Sequence, residues 1–144
     1  MRAPGWGIPP SVADVLAMAQ TAFDALPAAM REAASRIEIR VDDFADDAVL
    51  AEFGMQDPFE LTGLYQGVPL TEDSITDPSL EQPRIWLYRR PILDEWAHRG
   101  DVSFETLVAH VLIHELGHHF GWSDAAMDAA LEAAEAEAEA ETGR

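Results

Sequence analysis

The sequence predicts an α+β domain, and three observations carry the prediction. Two stretches, Arg36–Val41 (RIEIRV) and Arg84–Arg90 (RIWLYRR), alternate in side-chain character residue by residue, as half-buried strands do. Longer stretches, 12–25 and 103–120, place apolar residues at helical spacing. Proline and glycine punctuate the joins between them. At 144 residues and 48% hydrophobic content, the chain can bury a moderate core.

In chain order, residues 1–10 are rich in glycine and proline and read as a flexible leader to a domain spanning 11–131. Ser11 is an N-cap with Asp14 three residues on, and Val12, Val15, Leu16, Ala19 and Phe23 form the apolar stripe of a helix over 12–25. Pro27 opens a second helix over 27–35, and both helices are expected to cover a sheet. In the strand 36–41, Ile37, Ile39 and Val41 share one side. Residues 42–56 are acidic, with a helical turn or two at 46–52. Asp42, Asp43, Asp46 and Asp47 lack the spacing of a calcium loop and read as a solvated turn. Leu61–Gly67 (LTGLYQG) reads as a strand bounded by glycines, followed by a long loop to Pro83. After the strand 84–90, Pro91 opens a short helix to His98, broken by Gly100-Asp101. Asp101 or Ser103 caps the helix 103–120. A helix follows Asp124 to about residue 141. Met127 and Leu131 can pack on the core, and 132–144 form an acidic Ala/Glu tail whose i,i+4 glutamates repel.

The stretch Val108–Asp124 (VAHVLIHELGHHFGWSD) carries the chemistry. His114 and His118 stand four residues apart on a helix, so both imidazoles share a face about one turn apart and can converge on one metal ion. Glu115 projects about 100° round from His114, within reach of a water on that ion. Gly121 can adopt positive φ and end the helix sharply, so that Asp124 swings back as a third ligand, although Asp124 can equally cap the next helix. Two His and one Asp leave a coordination position open, the arrangement of a catalytic rather than a structural site. His110 shares the histidine stripe and reads as core or supporting residue. His119 faces away from the stripe and reads as a helix-end or supporting group.

Composition narrows the function. No cysteine is present, which excludes disulfides, thiolate zinc sites and cysteine-based latency. A net charge of −18 repels phosphate backbones, so nucleic acid is not an expected partner; solubility is the simpler meaning of the charge. No secretory signal pattern and no spanning apolar run are evident, so a cytoplasmic, membrane-free protein is expected; the sequence leaves the oligomeric state open, with a monomer favoured.

Three blocks, LTGLYQGVPLTEDS at 61–74, PRIWLYRRPIL at 83–93 and HVLIHELGHHFGWSDAAM at 110–127, resemble the small bacterial zincin-like metallopeptidases, or minimal zincins. The segment FDALPAAMREAASRIEIRVDD at 23–43 fits the same pattern. The resemblance implies a small mixed sheet beside the active-site helix, with helices at both ends of the domain and a cleft between sheet edge and helix. It implies one Zn2+ held by His114, His118 and Asp124, with Glu115 as catalytic base. Metzincins carry a third His where this chain has Asp124, and Met127 follows too closely to serve as their Met-turn.

The leading expectation is therefore zinc-dependent hydrolysis of a peptide or protein substrate, with Glu115 as general base. An extended peptide would pair with a sheet edge, LTGLYQG or RIWLYRR. Tyr65, Tyr88 and Arg89 are candidates for stabilising the oxyanion, and spacing does not choose among them. The alternative is a zinc-binding interaction module with little or no catalysis. A metal-dependent endoribonuclease is disfavoured by the acidic charge. Nitrogen and oxygen donors favour zinc, with manganese, nickel or cobalt as substitutes.

Overall fold

The computed structural model describes residues 8–67 and 82–123, together with 125, 126, 129 and 132. The expected loop 68–81, Asp124, Met127, Leu131 and the acidic tail lie outside the described residues. Those described form helices α1 (Val12–Asp24), α2 (Ala28–Ala33), α3 (Asp47–Glu52), α4 (Arg89–Arg99) and α5 (Phe104–Phe120), with strands β1 (Glu38–Asp42), β2 (Gly63–Gln66) and β3 (Arg84–Tyr88). A 3-10 turn at Pro58–Glu60 had no counterpart in the sequence reading.

Local chemistry sets most of these boundaries. Ser11 and Asp14 form a reciprocal capping box at the start of α1, with bonds of 2.8 and 3.1 Å. Asp46 caps α3 rather than belonging to it. At α5 the cap is Ser103, whose Oγ accepts the Thr106 N–H at 3.1 Å, and not Asp101.

The sheet is mixed, in the order β1-β3-β2. β3 lies in the middle, parallel to β1 and antiparallel to β2. Ile85 and Leu87 point into the main core with Val15 and Ala19 of α1 and Phe104, Leu107, Val108, Leu112 and Leu116 of α5. Trp86 and Tyr88 point the other way, onto a smaller cluster with Ala45, Leu50 and Leu64. One helix layer, α1 and α5, therefore covers one face, and the shorter elements cover the other. Among the described residues no helix is long and apolar enough to cross a membrane.

Two expectations are corrected. The strand expected over 84–90 ends at Tyr88, and Arg89 and Arg90 begin α4. Pro91 falls in the first turn, where its missing N–H has no intrahelical partner to lose. Arg89, the first residue of α4, donates from Nη1 to Asp43 Oδ1 at 2.9 Å and from Nε to the Pro10 carbonyl. The second correction concerns RIWLYRR as an exposed edge. β3 has a strand on each side, so it has no free edge to offer.

β2 is the edge strand that meets α5. The approach is close at Gly63, where an added Cβ would stand 2.7 Å from Val111 Cγ1, 3.2 Å from the Trp86 carbonyl oxygen and 3.3 Å from Glu115 Cγ. Val111 is β-branched and buried, and so has little freedom to retreat. Gly63→Ala is expected to cost about 1–3 kcal/mol through overpacking. Urea denaturation checks this, and adding Val111→Ala should recover part of the loss. An unshifted midpoint in Gly63→Ala would show that strand and helix separate freely.

Candidate active site

α5 is buried round most of its circumference, so its few polar positions stand out by where they face. His110, His114 and His118 form one stripe at four-residue spacing. Val111, Glu115 and His119 form the next, about 100° round the helix. The first stripe opens to solvent at His114 and His118, whereas Val111, Glu115 and His119 are all buried. The second stripe is the one that docks on β2.

The His114 and His118 rings stand 5.1 Å apart, centroid to centroid, nearly perpendicular to one another. One ligand atom each from His114, Glu115 and His118 lies within 4.8 Å of the others. His118 Nε2 is 3.9 Å from Glu115 Oε1. Donors that share a zinc ion at about 2 Å stand roughly 3–4 Å apart, so the cluster is near the size that one ion needs. A pair of imidazoles beside a carboxylate, with no thiolate, fits a borderline cation such as zinc.

The end of α5 is built from backbone. Gly121 takes φ 69°, its N–H bonds to the His118 carbonyl at 3.2 Å, and the Trp122 N–H bonds to the Gly117 carbonyl at 2.9 Å. These paired bonds are a Schellman motif, and the left-handed residue at its turn explains the glycine. Just beyond, Ser123 Oγ accepts the Ala126 N–H at 3.2 Å, the bond an N-cap side chain makes. Asp124, the expected third ligand, lies outside the described residues.

Glu115 is only 7% exposed. Its carboxylate accepts the Tyr65 backbone N–H. Thr62 turns its carbonyl to Tyr88 across the sheet, at 2.9 Å. Three residues on, the alternation of the strand turns the Tyr65 N–H outward, toward α5. Burial pushes the Glu115 carboxyl up from 4.5 to about 7, against the opposing pull of the Tyr65 hydrogen bond.

The three oxyanion candidates resolve differently. Arg89 is held by Asp43 and the Pro10 carbonyl. The Tyr65 hydroxyl lies 2.7 Å from His119 Nδ1. Tyr88 is buried and stacked on Trp86. Burial, helped by the negative charges of Asp46, Asp42 and Glu115, pushes its phenol up to about 12, so it keeps its proton. The sequence reading missed Gly63 as the point of close approach and His119 as a partner of β2. A glycine beginning an edge strand was the available signal for the first.

The Glu115 shift carries a stability consequence. A carboxyl whose folded value stands above its unfolded one binds its proton more tightly when folded, so ionisation opposes folding. The penalty is absent below about pH 4.5, grows as pH rises and is complete above about 7, reaching about 3 kcal/mol. Glu115→Gln cannot ionise and escapes it. In metal-free protein, wild type should lose stability relative to Glu115→Gln as pH rises through this window, measured by urea denaturation. A difference flat with pH would mean that Glu115 is solvated.

No curated protein matches the chain. The profile of the family described as zincin-like metallopeptidase matches residues 34–133, which takes in β1, β2, β3 and the whole of α5. The small mixed sheet, the helix laid against its edge and the paired histidines agree with that match, and the chain belongs to the zincin-like metallopeptidase family.

Proposed function

We propose that this chain is a zinc-dependent peptidase in which His114, His118 and Asp124 hold the ion and Glu115 is the general base. The observation that carries the reading is the placement of Glu115, a buried carboxylate on the free edge of β2, beside two exposed imidazoles. A chain that only binds metal has no use for a buried acid there, since burying an ionisable group costs stability. Ser123 makes the capping bond of the segment beyond α5, which removes the motive for reading Asp124 as a cap.

When bound, the ion supplies an acidified water and polarises the scissile carbonyl. The residues do the rest. Glu115 takes the proton of the attacking water on a carboxylate oxygen and delivers it to the leaving amine. Burial of Glu115 raises its proton affinity toward the neutral range, which suits a group that must both take and give a proton. Strand addition along β3 is closed to a substrate, since β3 has a strand on each side.

Metal content by mass spectrometry tests the ligands, on protein purified without added metal. The expected result is one zinc per chain in wild type, lost in His118→Ala and in Asp124→Ala. Zinc kept in Asp124→Ala removes Asp124 from the ligand set. Peptide-library cleavage tests the base: Glu115→Gln should keep its zinc and lose turnover by about 10²–10⁴-fold. Zinc-loaded wild type that cleaves no more than Glu115→Gln would leave the interaction module as the better reading.

A further inference from the structure

His119 is the buried polar group that the proposed reaction leaves without a task. It is 4% exposed, and its ring spans two elements. Nε2 lies 3.3 Å from the carbonyl of Ala33, the last residue of α2, and Nδ1 lies 2.7 Å from the Tyr65 hydroxyl on β2. A carbonyl can only accept, so Nε2 carries the proton and donates to Ala33. Nδ1 shares the second hydrogen bond with the Tyr65 hydroxyl, a group that can donate or accept. Both ring nitrogens are thereby engaged, one by α2 and one by β2.

Tyr65 is also the residue whose backbone N–H meets the Glu115 carboxylate. One residue of β2 therefore holds α5 at two points one helical turn apart, by its amide at Glu115 and by its hydroxyl at His119. A peptide amide has a direction, and a small roll of the edge strand would swing it off the carboxylate. The side-chain bond to His119 resists that roll, and the Ala33 carbonyl fixes the ring that makes the bond. An apolar side chain at 119 would fill the same space without fixing a direction.

We infer that His119 is a positioning residue for the reaction: acting through the Tyr65 hydroxyl, it holds the Tyr65 N–H on the Glu115 carboxylate. The inference rests on Glu115 being the base, but its test reads the amide in metal-free protein, so the two can fail separately. The Tyr65 amide proton is followed by NMR in wild type, Glu115→Gln, His119→Phe and the double variant. Well above pH 7, where the Glu115 carboxyl is ionised, the charged acceptor holds this resonance downfield in wild type, and Glu115→Gln moves it upfield.

If His119 positions the amide, His119→Phe alone moves it most of the way to the Glu115→Gln position, and the second substitution adds little. His119→Gln, which keeps a donor and an acceptor, restores part of the wild-type shift. Tyr65→Phe removes only the hydroxyl and gives the same upfield move should His119→Phe not fold. A lowered melting temperature in His119→Phe, with the amide still downfield and still responsive to Glu115→Gln, would reduce His119 to a core contact and overturn the inference. In zinc-loaded protein, Tyr65→Phe should lower kcat by up to about a hundredfold with KM held. Wild type that cleaves nothing would count against the peptidase reading, while the amide result would still decide the contact.

Discussion

The docking of α5 on the free edge of β2 is the constraint on which the rest depends. Along a strand, alternate residues are about 6.6–6.8 Å apart; along a helix, residues four apart are about 6 Å apart. The two repeats nearly match, so a row on one element can meet a row on the other over about two turns. Here Val111 lies over Gly63, while Glu115 and His119 meet the amide and hydroxyl of Tyr65. The row begins with a glycine because backbone approaches side chain there. It continues with polar contacts because an edge strand presents backbone groups that need partners. The neighbouring stripe of α5 is left facing solvent, and it carries His114 and His118. The division between a buried acid and exposed ligands thus follows from which side of one helix is pressed onto the sheet.

Much of this was legible in the sequence, and the reason is locality. α5 was read almost to the residue because its signals are adjacent to it: a serine cap, an apolar pattern, and a glycine at its end. The capping box of α1 was legible for the same reason. The metal motif lies within a single helix, so its facing could be computed from the pitch alone. What was not legible depends on partners far along the chain. Tyr65 and His119 are 54 residues apart, and no spacing rule joins them. Which strand is central is likewise a matter of pairing, so the run RIWLYRR could be mistaken for an edge. That run also overstated the strand, because alternation continues through Arg89 while α4 already begins there.

Burial of Glu115 illustrates the same limit in chemical terms. The motif names the acid but says nothing of its surroundings, and the surroundings set its proton affinity. An exposed Glu115 would be ionised throughout the neutral range and a poor acceptor of protons. Packing against Gly63 and β2 brings it to about 7 before any cation is considered.

The strand order also dictates when structure can form. β1 and β2 precede β3 in the chain but do not pair with each other, so neither has a partner until residues 84–88 are available. The first pairing of β1 with β3 joins Glu38 to Arg84, 46 residues away, and that loop must close before the sheet returns any stabilisation. α5 follows β3 and needs an assembled edge on which to lie. During synthesis, the sheet and α5 therefore come together only once most of the domain has left the ribosome. A nascent chain carries β2 unpaired until Arg84–Tyr88 has emerged, and only then does the edge exist on which α5 can bury Glu115.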